Sequence, residues 1–365
     1  MSFLVPQPGI MDITPYVGGE SKIQGVSRII KLASNEGAFG PSPKAVAAFV
    51  AHAGEMHRYP DGGCTALREA VAVRHGLDAS RIVFGAGSDE LIGLLCRAYA
   101  GQGDEVLYSE HGFLMYPIAA RSASATPVAA PDQGLTADVD AILAKVTKRT
   151  RIVFLANPNN PTGTYLPRSE LARLRAGLSD NILLVIDAAY SEYIDLPDFS
   201  SGLELVDGVA NTVMTRTFSK IYGMGGLRLG WAYCPAAVAD VLNRVRNPFN
   251  VGSAAQAAGL AAFADTEFVA KVKKHNDEWL PWTIEQVRAL GFEAPPSVGN
   301  FMLVRFPAGP GRDVPAADAF LKARGLIVRR VAGYGLPDAL RVTIGREDEM
   351  RAFIGALGEF ARQAT

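Results

Sequence analysis

Lys220 lies in the stretch TRTFSKIYGMGGLRLGW, which runs from Thr215 to Trp231. Thr217 and Ser219 precede it, and Arg228 follows eight residues later. A lysine kept among cationic or apolar groups has a depressed pKa, and its free amine condenses with carbonyls. The hydroxyls and the guanidinium are donors suited to a phosphate. Read alone, the stretch fits a solvated lysine at a loop rim equally well. Three other strings carry comparable chemistry. FGAGSDEL follows a short apolar run with glycines and a helix start, a backbone cradle for an anion around Ser88 and Asp89; a plain strand-to-helix turn reads the same. ANPNNPTG, residues 156–163, is a turn whose Asn160 could offer an amide to a ligand. ILLVIDAAY ends an apolar run on Asp187, with Tyr190 three residues on. A carboxylate there needs a cation or donors, or else caps the next helix.

These residues need a scaffold that brings strand ends together. Short apolar runs (RIVFGAG, DEVLYSE, ATPVAA, RIVFLANP, ILLVIDAAY, NTVMTRTFS, LGWAYC) alternate with helical stretches such as 136–147 and 168–178. That alternation predicts an α/β fold with a mainly parallel central sheet flanked by helices. TALREAVAVRHG predicts an amphipathic helix ending at Gly76, and SDELIGLLCRAYA one with Ser88 as N-cap. The end of the chain reads strand NFMLVRF, helix AADAFLKARG, strand LIVRR, strand ALRVTIG and a last helix, a smaller α+β unit. The expected organisation is an N-terminal arm over 1–45 that joins the small domain, a large domain over 46–250, and a linking helix with the small C-terminal domain over 251–365.

Composition narrows the function classes. The 365 residues are 48% hydrophobic and 20% charged, with a formal net charge of -1. No basic run suggests a nucleic-acid or membrane-surface partner. Three dispersed cysteines and five histidines show no metal-ligand spacing, so no metal site is expected, and reduced thiols suit a cytoplasmic protein. The start lacks the basic region of a secretory signal, and no apolar run reaches the length of a membrane helix.

The order of the motifs is more specific than any one of them. Glycine cradle, NNPTG, D-x-x-Y, S/T-x-S-K and the later arginine together resemble the aspartate-aminotransferase fold family, the fold type I enzymes dependent on pyridoxal 5'-phosphate (PLP). The resemblance spans essentially the whole chain and implies PLP in the large domain. It implies that Lys220 binds the cofactor aldehyde and then shuttles protons, and that Asp187 pairs with the pyridine nitrogen. Asn160 and Tyr190 would hold the phenolic oxygen. Ser88, Asp89, Thr217, Ser219 and Arg228 would hold the phosphate, and Phe113 would stack on the ring.

Further strings (KLASNEGAFGPSP, RYPDGG, GNFMLVRF, LIVRRVAGYGLPDALRVTIG) resemble the histidinol-phosphate aminotransferases. That resemblance implies amino transfer between histidinol phosphate and 2-oxoglutarate/glutamate. An aromatic amino-acid aminotransferase is the alternative, and a decarboxylase of the same fold a third reading. It also implies a homodimer in which Tyr59 reaches the neighbouring subunit's phosphate. Arg341 and Arg329 would bind the substrate anion, and Tyr16 and Asn35 of the arm would face the substrate. Arg330 receives no role. The chain departs from the pattern at Gly37-Ala38, where Asn-Pro is usual, at Ala188, where Glu is common, and at Phe113, where Tyr is frequent.

Overall fold

A computed structural model of the chain describes residues 4–25, 28–309 and 311–363; the ends of the arm and of the C-terminal unit, 1–3 and 364–365, lie outside the described residues. Seven strands form the main sheet: β1 (Ile82–Gly85), β2 (Glu105–Ser109), β3 (Thr126–Ala130), β4 (Thr150–Ala156), β5 (Leu183–Asp187), β6 (Thr212–Thr217) and β7 (Gly230–Tyr233). Their order is β1-β7-β6-β5-β4-β2-β3. Every pairing is parallel except the two made by β7. All five residues of β5 are buried, as an apolar run must be when helices cover both faces.

Register sets the site. Ala156 of β4 lies beside Asp187 of β5, and Asp187 beside Thr215 of β6. The 156–163 turn, Asp187 and the Ser219-Lys220 segment therefore leave the sheet at one edge. β1 is antiparallel to β7, and β7 to β6, so the turn after β1 opens at that same edge. Carboxyl ends of strands in such sheets are where ligands bind.

A second unit holds an antiparallel sheet of β8 (Phe301–Arg305), β9 (Arg329–Arg330) and β10 (Ala339–Thr343) in the order β8-β10-β9. Here the sequence expectation of one LIVRR strand is corrected. Leu326–Ile327 pairs in parallel with Ile30–Lys31 from the arm, whereas Arg329–Arg330 joins β10. Val328 is the switch between the two pairings, a tertiary choice that local propensity does not encode. Ile30 and Leu32 pack in one apolar cluster with Trp279, Leu340 and Phe353, so both ends of the chain build this unit. The arm is also more ordered than expected: Ser42 caps a helix Pro43–Ala51, its hydroxyl accepting from Ala45 N–H at 3.1 Å.

Candidate active site

The strand-end edge opens into a cleft of about 340 Å³, lined among others by Tyr16, Glu36, Ser88, Asp187, Lys220 and Arg228. One end is built by the β1 turn. The helix Ser88–Tyr99 is preceded by Gly87, so Gly87 and not Ser88 is the N-cap, correcting the sequence expectation. Gly87 has φ +91°, and a Cβ there would come within 2.2 Å of Asp89 and 2.3 Å of the Arg228 guanidinium. Only glycine leaves that cradle open. Arg228 donates to Ser219 Oγ at 3.3 Å and to Gly225 O at 3.0 Å, and it pairs with Asp89. Thr217 Oγ1 accepts from Ser219 N–H at 3.1 Å, fixing the hydroxyl pair. Ser88, Asp89, Thr217, Ser219 and Arg228 thus converge beside a free helix N-terminus, a good seat for a dianion.

Asp187 lies at the floor. It caps no helix; Tyr116 Oη donates to Oδ2 at 3.0 Å and Thr215 Oγ1 donates to Oδ1 at 3.2 Å. Burial raises its carboxyl to about 6, opposed by those two donors and by Lys220. Lys220 lies 5.4 Å from the Tyr190 ring centre and 3.5 Å from the Ser34 carbonyl. Burial, and then the Arg341 charge, lower its amine to about 8. A carboxylate short of cations and an amine easily made neutral share one cleft. Tyr190 is held by Asn35, whose Nδ2 donates to its hydroxyl at 2.9 Å; burial pushes that hydroxyl up to about 12.

The other end meets the arm and the small sheet. Arg329 and Arg341 are directly opposed across β9 and β10. Directly opposed residues share a face, where like charges repel. Arg341 is 5% exposed; it donates to Asn160 Oδ1 and to Ala33 O at 2.9 Å, while its Nε has no partner. Arg329 donates to Val17 O at 2.8 Å, and its guanidinium sits 5.9 Å from the Tyr16 ring. The pair is set up to receive an anion.

Eleven of the sequence candidates line the cleft: Tyr16, Ser88, Asp89, Phe113, Asn160, Asp187, Tyr190, Thr217, Ser219, Lys220 and Arg228. Asn35 and Arg341 stand one hydrogen bond behind it. Tyr59 is elsewhere: it is 84% exposed and stacks on Phe249 with ring centres 4.8 Å apart. Sequence reasoning missed Tyr116, Thr215, Ser34 and Glu36. Tyr116, fully buried and stacked on Phe154 at 4.7 Å, had one available signal, a hydroxyl-bearing ring in an otherwise apolar helix face.

PLP fits these residues. The Gly87 cradle, with its hydroxyls and Arg228, suits a phosphate, and the buried Asp187 carboxylate suits a protonated ring nitrogen.

Comparison with known proteins agrees. The sequence family "Aminotransferase class I and II" matches residues 27–357. The histidinol-phosphate aminotransferase of Paramagnetospirillum magneticum is 65% identical over 360 residues, covering 99% of both chains. That of Rhodospirillum rubrum is 60% identical over 355 residues, covering 97% of this chain and 96% of the relative. The crystal structure of histidinol-phosphate aminotransferase from Sinorhizobium meliloti in complex with pyridoxal-5'-phosphate superposes with a TM-score of 0.90 at 27% identity, covering 98% of this chain and 97% of that one. With its sheet, its cleft lysine and its carboxylate in place, the chain belongs to the class I and II aminotransferases and is a PLP-dependent transaminase.

Proposed function

We propose that the chain transfers an amino group between histidinol phosphate and 2-oxoglutarate/glutamate, a step of histidine biosynthesis. One observation carries the amino-transfer chemistry: the Lys220 amine, lowered to about 8, shares a cleft with the buried Asp187 carboxylate. The choice of substrate rests on relatives 52–65% identical to the chain, each a histidinol-phosphate aminotransferase.

PLP supplies, when bound, an aldehyde for amines and a ring that accepts electrons. Lys220 would hold that aldehyde, and its Nζ, when free, would serve as the base and acid that moves the substrate's Cα proton. A pKa near 8 suits both directions of that transfer. Asp187 would keep the ring nitrogen protonated, and Tyr116 and Thr215 hold Asp187. Asn160 and Tyr190 would bind the phenolic oxygen, and Phe113 would stack on the ring. Ser88, Asp89, Thr217, Ser219 and Arg228 bind the phosphate through main-chain and side-chain donors. Arg341 and Arg329 take the carboxylate of glutamate or the phosphate of histidinol phosphate in turn, and Tyr16 and Asn35 close the arm side.

We further propose a cytoplasmic homodimer with shared active sites. Tyr59 stacks on Phe249 and both are exposed, as are Phe49, Val50 and Met56, apolar surface suited to a second copy. The free, buried Cys64, Cys96 and Cys234 suit a reducing compartment. Among the described residues, no helix is long and apolar enough to cross a membrane. The deciding experiment mixes PLP-loaded enzyme with histidinol phosphate, phenylalanine, tyrosine or glutamate and follows loss of the cofactor's visible absorbance. Rapid conversion by histidinol phosphate and glutamate is expected. Saturation by phenylalanine with no response to histidinol phosphate would replace this reading with the aromatic one.

A further inference from the structure

Three carboxylates line the cleft: Asp89, Asp187 and Glu36. Asp89 is engaged by Arg228, and Asp187 by Tyr116 and Thr215. Glu36 differs from both. It stands at the arm end, where Lys31 reaches Oε1 at 2.8 Å, and no described residue donates to Oε2. Its side chain is 53% exposed, while its backbone is fixed: Asn300 Nδ2 donates to Glu36 O at 3.3 Å and to Asn35 O at 3.1 Å. The neighbouring Gly37 abuts the lysine loop, where a Cβ would meet Lys220 O at 3.1 Å and Gly223 Cα at 3.3 Å. The backbone that carries the acceptor is thus anchored against the loop of Lys220. Phenyl and aliphatic side chains have no N–H or O–H for an acceptor there. An imidazole has one: its ring carries an N–H donor and is cationic when protonated.

We propose that Glu36 determines specificity: its carboxylate accepts a hydrogen bond from the ring N–H of an imidazole-bearing amine and thereby favours histidinol phosphate over phenyl-bearing amines. This rests on the histidinol-phosphate reading above. Lys31 holds Oε1 and leaves Oε2 for the substrate, and the Arg329–Arg341 pair receives the anion at the other end of the same substrate. A site built to hydrogen-bond a substrate N–H rejects analogues that lack it.

The test compares wild type, Glu36→Gln and Glu36→Asp with histidinol phosphate and with phenylalanine, recording kcat and KM separately. Wild-type turnover of histidinol phosphate is read first, so that failure of the substrate reading shows before any variant is interpreted. In Glu36→Gln, the ratio of kcat/KM for histidinol phosphate to that for phenylalanine is expected to fall roughly 10- to 100-fold, the size of one charged hydrogen bond. The loss should lie mainly in KM, and Glu36→Asp should retain more of the preference. An unchanged ratio would overturn the proposal, whether both substrates keep their rates or both lose equally.

Discussion

The two ends of the cleft are built on different principles. The cofactor end stands on three adjacent strand termini, and its key carboxylate is buried with two hydroxyl donors at 3.0 and 3.2 Å. The arm end is assembled from residues far apart in sequence, with Tyr16 half exposed and Arg329 tied to the arm through one backbone carbonyl. The first is preorganised, so its side chains cannot adapt and its electrostatics act at full strength. The second is held by fewer fixed contacts, which suits substrates as different as glutamate and a phosphate ester. Arg341 belongs to both, being buried like Asp187 yet bonded to Asn160 on one side and to Ala33 of the arm segment on the other.

If this contrast holds, substitutions should grade from the floor outward. Asp187→Ala is expected to keep the fold and lose roughly 10²- to 10³-fold in kcat; near-normal turnover would remove Asp187 from its role. Arg341→Ala should raise KM for both substrates by roughly 10- to 100-fold, since a charged bidentate contact is lost. It should also lower stability by about 1–3 kcal/mol, because Asn160 Oδ1 and Ala33 O lose their buried donor. Steady-state kinetics and urea titration measure the two effects. Arg329→Ala, at the half-exposed arm, should change KM only a few-fold; an effect as large as that of Arg341→Ala would erase the distinction between the ends.

A smaller effect reads the cofactor end without turnover. In cofactor-free protein, Lys220 is lowered from 10.5 to about 8. Between those values the unfolded chain holds a proton that the folded chain has released, so this group makes stability rise with pH across that window. The slope is at most about 1.4 kcal/mol per pH unit. Subtracting the profile of a Lys220→Met variant should isolate it, and a flat difference from pH 8 to 10 would contradict the lowered amine.

The cofactor end was largely legible because its residues sit at fixed offsets from apolar strands. The strand FLA before NPNNPTG, and LLVI before Asp187, announce the edge on which the ligand must lie. Tyr116 was not legible: its hydroxyl meets Asp187 only after β2, β4 and β5 pair, and nothing in its helix marks a 71-residue partner. Nor was the opposition of Arg329 to Arg341, which depends on the break at Val328 and the register of β9 on β10. The departure at Gly37 also gains a cause. The arm turn packs backbone to backbone on the lysine loop, where Gly223 has φ +67° and a Cβ would come within 2.2 Å of Gly40 O. A larger residue at Gly37 would press on that seam, so the local sequence answers to the loop that carries Lys220.

Lys220 is the amine expected to hold PLP. Borohydride reduction of the loaded enzyme, followed by proteolysis and mass spectrometry, tests it most directly. One modified peptide is expected, carrying the reduced cofactor on Lys220 within the segment from Thr217 to Arg228. Label on another lysine, with Lys220 unmodified, would contradict the account.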